Sequence, residues 1–361
     1  MTIQLPRRIR GLVSLAEALL TPHGADRYLE LVDPMLVRRE IRGQVTAVRR
    51  QTPDSVTFTV RPSRAWQGFR AGQYVRLQVE IDGVRRTRCY SPCGAEGGEL
   101  EFTVKADPDG LVSRHLRDTT RVGTVVGLSP ADGDFTLPSP RPSRIVLISG
   151  GSGITPVLAM VRTLVAEGHP GEIVFLHYSN SREDALYREE LAALSAQHPG
   201  LRVVHAHTHT RTGELTGRFS KAHLQQAAPW FRTAETFACG PAPLMTAVGD
   251  LFADEGLSEH LHTEEFTAAP LTFDTTAAEG RVRFARSGRE CDNTGKPLLE
   301  QAEDVGLTPE HGCRMGICFS CTQLKTAGRV RNARTGEVSG EENQEIQLCI
   351  SVPLGDVEID A

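Results

Sequence analysis

The segment RIVLISGGSGITPVLAMVRTLVAEG, residues 144–168, combines a continuous apolar run, a glycine-rich turn and an apolar helical pattern. An uninterrupted run of β-branched residues predicts a strand that is buried on both faces. Gly150, Gly151 and Gly153 let backbone amides crowd a phosphate at the N-terminus of the helix that follows. Pro156 suits the first turn of that helix. The segment therefore predicts a parallel α/β sheet with an anion-binding loop at its edge.

The rest of the chain divides around this segment. Strand–helix alternation continues through EIVFLHYS and LRVVHAH, so residues 141–268 are assigned to the parallel α/β domain. Before it, short β-branched runs separated by Gly, Pro and Asp predict an antiparallel β-barrel over residues 41–140. Residues 1–40 predict an amphipathic helical extension, and residues 269–361 contain a strand, a helix and a cysteine-rich loop. The chain is therefore predicted to be multidomain.

Composition and charge exclude several functional classes. The 361 residues are 39% apolar and carry a net charge of −5, which gives no reason to expect nucleic-acid binding. No run approaches the roughly 18–20 apolar residues of a membrane span, and the first residues lack the order of a signal peptide. We therefore expect a cytoplasmic protein with no transmembrane span. The basic and apolar extension at 1–40 is a candidate for peripheral membrane contact.

The cysteines near the C-terminus have a characteristic spacing. Four residues separate Cys313 from Cys318, two separate Cys318 from Cys321, and twenty-seven separate Cys321 from Cys349. Plant-type [2Fe–2S] clusters use C-x4-C-x2-C with a distant fourth cysteine, whereas structural zinc sites usually combine two separated C-x2-C pairs. A reducing compartment also argues against disulfides. The spacing therefore predicts that these four thiols hold a [2Fe–2S] cluster.

Two motifs in the β-domain point to a flavin. The first is RCYS, residues 88–91, and the second is KADPDGLVS, which begins at Lys105 and opens a helix. An arginine fork matches a diphosphate, and a tyrosine ring offers a flat face to an isoalloxazine. The motifs resemble the flavin signature and pyrophosphate loop of the ferredoxin–NADP reductase superfamily, which implies FAD rather than FMN. The residues that this resemblance assigns to the flavin are Gln73, Tyr74, Arg88, Tyr90, Ser91, Lys105, Gly110, Val112 and Ser113.

The α/β domain resembles the nicotinamide-binding domain of the same superfamily. Its glycine loop is similar to the family's Gly-x-Gly-x-Thr-Pro loop, ACGP is similar to a second landmark beside the hydride-transfer position, and EEF resembles a segment near the flavin. Hydroxyl and guanidinium donors in YSNSR favour NADPH over NADH, although two acidic residues follow directly. The resemblance gives Ser91 and Cys239 catalytic roles. It assigns coenzyme or flavin contacts to Gly150, Gly151, Gly153, Thr155, Pro156, Ser179, Ser181, Arg182, Cys239, Gly240, Pro241, Glu265 and Phe266.

The C-terminal segment resembles a plant-type ferredoxin, which implies an α+β (β-grasp) domain. Phe319 departs from the family, which usually has Gly or Ser between the second and third cysteines. The domain order is similar to that of single-chain reductases for oxygenases and desaturases, such as phenylacetyl-CoA epoxidase reductases and fatty-acid desaturase electron-transfer partners. The resemblance implies electron flow from NADPH through FAD and [2Fe–2S] to an oxygenase, hydroxylase or membrane desaturase. A stand-alone diaphorase for small acceptors and a cluster-based redox sensor remain alternatives.

Overall fold

The structure is a computed structural model. Most of the predicted N-terminal extension, most of the linker after the α/β domain, and Cys313 and Cys318 lie outside the residues that it describes. Within the described ranges, no helix has both the length and the apolar character that crossing a membrane requires. The described residues are 32–37, 40–266, 278–312, 314, 316 and 319–361.

The first domain is an antiparallel sheet of six strands with one helix. Its elements are β1 (Ile41–Thr52), β2 (Ser55–Pro62), β3 (Val75–Ile81), β4 (Val84–Tyr90), β5 (Leu100–Lys105), α1 (Leu111–Thr119) and β6 (Val125–Leu128). The strand order is β4-β3-β6-β1-β2-β5. The two edge strands, β4 and β5, also contact each other, so the sheet curls around an apolar core that alternate residues of its strands supply. The predicted barrel is thus a curled antiparallel sheet.

The second domain has the parallel sheet that the alternating sequence predicts. Its six strands follow the order β10-β9-β8-β7-β11-β12, and every pair is parallel. Separate apolar clusters cover the two faces of the sheet. The elements are β7 (Arg144–Gly150), α2 (Ile154–Ala166), β8 (Glu172–Ser179), α3 (Arg188–Gln197), β9 (Leu201–His207), β10 (Leu215–Thr216), α4 (Lys221–Ala227), β11 (Glu235–Cys239), α5 (Ala242–Asp254) and β12 (Leu261–Glu264).

The first two domains share part of their core. Ala71, Phe135 and Leu137 of the first domain belong to the same buried apolar cluster as residues of β7 and α2. The ring of Phe135 meets that of Phe237 on β11 edge to face, with 5.9 Å between the ring centroids. Because one continuous apolar cluster crosses the boundary, the first two domains pack against each other through a common core.

The third domain is a mixed sheet with its own core. The strand order is β14-β13-β18-β15-β16, with β17 paired to β15, and β13 runs parallel to β18 while the other pairs are antiparallel. The apolar cluster of this domain contains residues of this domain alone. Its elements are β13 (Arg281–Phe284), β14 (Arg289–Asp292), α6 (Leu298–Asp304), β15 (Thr322–Asn332), β16 (Val338–Ser339), β17 (Gln344–Gln347) and β18 (Ser351–Ile359).

Candidate functional site

A first cavity, of about 390 Å³, opens between the end of β4 and the start of α1. It brings together nine of the residues that the sequence assigns to the flavin site, from four separate segments of the chain. Gln73 lies outside its lining, where its side-chain amide accepts a hydrogen bond from the Arg70 backbone. The predicted residues in the lining are Tyr74, Arg88, Tyr90, Ser91, Gly110, Val112, Ser113, Glu265 and Phe266.

Two polar side chains of the first cavity, Ser91 and Arg88, leave hydrogen-bonding capacity unused among the described residues. The buried hydroxyl of Ser91 has no hydrogen-bond partner in the described part of the chain. No carboxylate among the described residues pairs with Arg88, whose guanidinium donates to the Thr87 carbonyl at 2.8 Å. Burial raises the pKa of the Tyr90 hydroxyl, so this ring presents a neutral face. An unpaired guanidinium, an unpaired hydroxyl and flat aromatic faces fit a flavin and its diphosphate.

The loop before α1 is shaped for a phosphate. The hydroxyl of Ser113 accepts a hydrogen bond from the Asp107 backbone at 3.1 Å, which closes the loop on itself. A Cβ at Gly110 would lie 2.9 Å from the Cβ of Asp107, so this turn excludes a side chain. The first amides of α1 therefore remain accessible at the cavity, where the helix dipole favours an anion.

A second cavity, of about 450 Å³, lies at the carboxyl edge of the parallel sheet, over the glycine loop. Five predicted residues line it: Lys105, Gly150, Gly151, Ser179 and Pro241. Lys105, which the sequence places in the flavin loop, reaches this cavity instead and forms an ion pair with Asp54 at 3.3 Å. The remaining lining residues are Tyr178, Asn180, Asp184, Thr208, His209, Arg218, Phe219, Pro243, Leu244 and Ala247.

The glycine loop packs directly on the turn that follows β11. A Cβ at Gly153 would lie 2.6 Å from the Cys239 carbonyl carbon and 2.7 Å from the Cα of Gly240. Only glycine permits this approach, because both neighbours are backbone atoms. Thr155 and Pro156 are buried in the first turn of α2 behind the loop. The loop and the turn thus form one wall of the second cavity.

Cys239 lies between the two cavities and lines neither of them. Its side chain is fully buried, and its backbone pairs with Ser149 on one side and with Glu264 on the other. Burial raises the pKa of the Cys239 thiol well above its ordinary value, and the nearby carboxyls of Glu264 and Glu265 add to the effect. The group is therefore a neutral thiol in this structure.

Glu264 is a residue of the first cavity that sequence reasoning missed. Burial raises the pKa of its carboxyl to about 7, so the group can hold a proton beside the flavin site near neutral pH. The motif resemblance selected the neighbouring Glu265. The parallel pairing of β12 with β11 places Glu264 opposite Cys239, and no local sequence signal specifies that register.

Ser179, Ser181 and Arg182 are predicted to donate hydrogen bonds to the 2′-phosphate of NADPH, but only Ser179 lines the second cavity. Ser179 lines the second cavity, but its hydroxyl donates to the Ser181 carbonyl at 2.8 Å. The Ser181 hydroxyl in turn donates to the Asp184 carboxylate at 2.9 Å, and neither Ser181 nor Arg182 lines the cavity. Arg218, in the loop after β10, supplies a guanidinium to the lining instead. It belongs to no recognised motif, so no local pattern predicts its place in the cavity.

Two of the four predicted cluster ligands fall within the described residues. Cys321 and Cys349 are buried next to each other. The backbone amide of Cys349 donates a hydrogen bond to the Cys321 sulfur at 3.5 Å. The Gly316 amide donates to the Cys349 sulfur at 3.3 Å. Backbone donors aimed at sulfur stabilise thiolates, which is the form that binds a metal. Phe319 is 53% exposed on the same loop, with a φ of +56°.

Comparisons with known proteins identify the first two domains. Residues 42–137 match the oxidoreductase FAD-binding domain, and residues 147–250 match the oxidoreductase NAD-binding domain. The chain is 36% identical over 357 residues to an NADPH oxidoreductase of Mycobacterium tuberculosis, covering 97% of this chain and 92% of the relative. It is 30% identical to the glycine betaine monooxygenase reductase subunit of Pseudomonas aeruginosa, covering 81% and 87%.

A solved structure shares the fold along most of the chain. The crystal structure of phthalate dioxygenase reductase aligns with a TM-score of 0.60 at 24% identity, covering 89% of this chain and 97% of that one. The relatives, the two domain matches and the paired cavities agree with one another. The chain belongs to the ferredoxin–NADP reductase superfamily, and it is an oxidoreductase with a FAD-binding and a NAD-binding domain.

Proposed function

We propose that the protein carries electrons from NADPH through FAD and a [2Fe–2S] cluster to a partner oxygenase. The observation that carries this proposal is that two paired strands lead into different cavities: Pro241, just after β11, lines the second cavity, and Glu264, at the end of β12, lines the first. A bound flavin takes two electrons from a reduced nicotinamide together and releases them one at a time. The chain supplies the cavities that hold the two groups next to each other.

Each wall of the paired site has a separate task. Arg88 and the amides of α1 would hold a diphosphate, and the Ser91 hydroxyl, which has no partner among the described residues, would hydrogen-bond the flavin ring. The glycine loop holds the coenzyme's pyrophosphate at the N-terminus of α2. Phe266 lines the first cavity from the second domain, where its ring would shield a bound flavin from water.

For the coenzyme we propose NADPH, with Arg218 rather than Arg182 as the cation for the 2′-phosphate. Arg218 lines the second cavity, and no ion pair engages it among the described residues. Asp184, the carboxylate that would otherwise bond a ribose diol, already accepts from Ser181. The similar NADPH oxidoreductase supports the same choice. A comparison of kcat/KM for the two coenzymes tests it, and a preference for NADH would overturn it.

The third domain is proposed to be a ferredoxin that receives the electrons. Support comes from the four-cysteine spacing and from the amide–sulfur contacts at Cys321 and Cys349. Cys313 and Cys318 would complete the ligand set. Phe319 and Ser320 line a cavity together with Thr87, which directly precedes Arg88 on β4. The loop that carries Phe319 therefore lies beside β4, the strand whose end would hold the flavin.

The proposed acceptor is an oxygenase, since one similar protein is the reductase subunit of glycine betaine monooxygenase. A hydroxylase or a membrane desaturase would accept the same single electrons. Oxygenases need electrons delivered one at a time, and the proposed cluster is a one-electron carrier. In a diaphorase acting on small acceptors, the flavin would reduce the acceptor without a cluster. In a redox sensor, the cluster would report the redox state and would not pass electrons to a partner.

The test compares Cys321→Ser with Cys291→Ser, a matched change of a half-buried thiol in the same domain outside the motif. We expect wild type and Cys291→Ser to contain about two irons per chain and to reduce both ferricyanide and cytochrome c with NADPH. Cys321→Ser should keep ferricyanide reduction and lose cytochrome c reduction, because only the path through the cluster is broken.

Three outcomes would contradict the proposal. Cytochrome c reduction that survives in Cys321→Ser would remove the cluster from the electron path. A wild type that contains no iron would favour the diaphorase. A wild type whose cluster is reduced by NADPH but passes no electrons to cytochrome c would favour the sensor.

A further inference from the structure

A tyrosine of the second domain inserts into the first. Tyr187 precedes α3, and its side chain is 3% exposed. Its hydroxyl donates to the Glu101 carboxylate at 3.1 Å, lies 3.3 Å from the Thr57 hydroxyl, and also contacts that of Thr103. Thr57, Glu101 and Thr103 all belong to the first domain. The backbone of Tyr187 has a φ of +56°, a conformation that a bulky residue adopts only where its surroundings enforce it.

Arg162 makes a second connection at the same place. From α2, its guanidinium donates to the Glu101 carboxylate at 2.8 Å and to the Cys93 carbonyl at 2.7 Å. The guanidinium carbon also lies 5.2 Å from the centre of the Tyr187 ring. Burial alone would raise the pKa of Glu101, but the charge of Arg162 holds it below its usual range. We call Thr57, Glu101, Thr103, Arg162 and Tyr187 the interdomain cluster.

The interdomain cluster lies outside both cavities, yet it touches an element of each. Glu101 and Thr103 are on β5, and the chain passes from that strand directly into the phosphate loop at Gly110. Arg162 is on α2, which begins immediately after the glycine loop. The interdomain cluster thus joins the strand that leads to the flavin phosphate loop with the helix that follows the coenzyme glycine loop.

We propose that Tyr187 is a positioning residue that sets the distance between the nicotinamide and the flavin. The proposal rests on the function proposed above, and it adds a residue that touches neither group. Apolar contacts of the shared core permit small displacements, whereas directional hydrogen bonds to one hydroxyl restrict them. Displacements of about 1 Å at a reacting pair cost up to about 100-fold in rate.

The test is Tyr187→Phe, which removes one hydroxyl and keeps the ring under Arg162. In anaerobic mixing with NADPH, we expect the limiting rate of flavin reduction to fall about 10-fold, with FAD content and the coenzyme Kd unchanged within about 2-fold. The long-wavelength charge-transfer absorption of the nicotinamide–flavin pair should weaken in parallel, since it depends on the contact between the two rings. A purely structural role would lower FAD content instead.

Arg162→Lys provides a second variant, and Arg232→Lys is its control. Arg232 also pairs with a glutamate and stacks on an aromatic ring, at 4.7 Å from its centre, but within the second domain alone. Without coenzyme, hydrogen exchange of the β5 amides should rise in Tyr187→Phe and Arg162→Lys and stay at the wild-type rate in Arg232→Lys.

The outcomes separate this inference from the proposed function. A wild type that neither coenzyme reduces would overturn both. A wild type that is reduced, with Tyr187→Phe matching its limiting rate and its charge-transfer absorption, would overturn this inference alone. A rate loss in Tyr187→Phe that follows loss of FAD would also overturn it, because the hydroxyl would then serve the fold of the flavin domain.

Discussion

The glycine loop and the turn after β11 form one wall of the second cavity. Replacing Gly153 by alanine tests whether coenzyme binding there depends on the contact between these two segments. The new Cβ would lie 2.6 Å from the Cys239 carbonyl carbon and closer still to its oxygen, whereas ordinary contacts begin at 3.4 Å, so the two segments must separate by at least about 0.8 Å. Because both neighbours are backbone atoms, no side-chain rotation relieves the overlap. A displacement of this size at a hydride-transfer site predicts a loss of about 10–100-fold in kcat/KM for NADPH.

The assay is steady-state ferricyanide reduction with NADPH, together with the FAD content of the purified protein. Gly249→Ala is the matched control, since its Cβ would meet no atom within 4 Å on α5. That variant should keep full activity, and a gain of up to about 1 kcal/mol in the free energy of unfolding is expected for alanine in a helix. An unchanged kcat/KM in Gly153→Ala would refute the reasoning. Loss of FAD in the same variant would show that the substitution also disturbs the first cavity.

Two further predictions concern the first cavity. Arg88→Ala should weaken FAD binding by about 10–100-fold, which is the contribution of a hydrogen bond to a charged group. Arg85→Ala changes an exposed arginine on the same strand and should leave FAD binding unchanged. Equal FAD affinities of the two variants, measured by fluorescence titration, would contradict the role of Arg88 in diphosphate binding. Burial raises the pKa of Glu264 to about 7 in the folded protein from an ordinary value of 4.5, so the folded state binds more protons between these values and stability falls as pH rises through them. Glu264→Gln should therefore flatten the pH dependence of urea unfolding in FAD-free protein, and an unaltered slope would argue against a buried carboxyl.

The sequence predicts the parallel sheet and most of the first cavity well, because both depend on local patterns. A continuous apolar run followed by glycines specifies a buried strand and a loop at a helix start, as residues 144–168 show. Arg88 and Tyr90 are two positions apart at the end of a single strand, so the alternation of side chains along that strand predicts that both face one cavity.

The remaining features depend on contacts between distant segments. Glu264 reaches the first cavity through the register of a parallel strand pair, and Arg218 reaches the second through the course of a loop. The Ser181 hydroxyl turns toward Asp184, a choice between partners that composition does not specify. Tyr187 meets Thr57 across 130 positions of sequence, so no motif search would connect the two.

The apolar cluster shared by the first two domains bears on how such proteins exchange parts by recombination. Cutting the chain between Leu137 and Ile145 would expose apolar side chains on both pieces, since both residues belong to one cluster. The third domain encloses an apolar cluster of its own, so exchanging it would leave both cores complete. A chimera that replaces only the third domain should therefore remain folded, with the FAD-binding and NAD-binding domains unchanged.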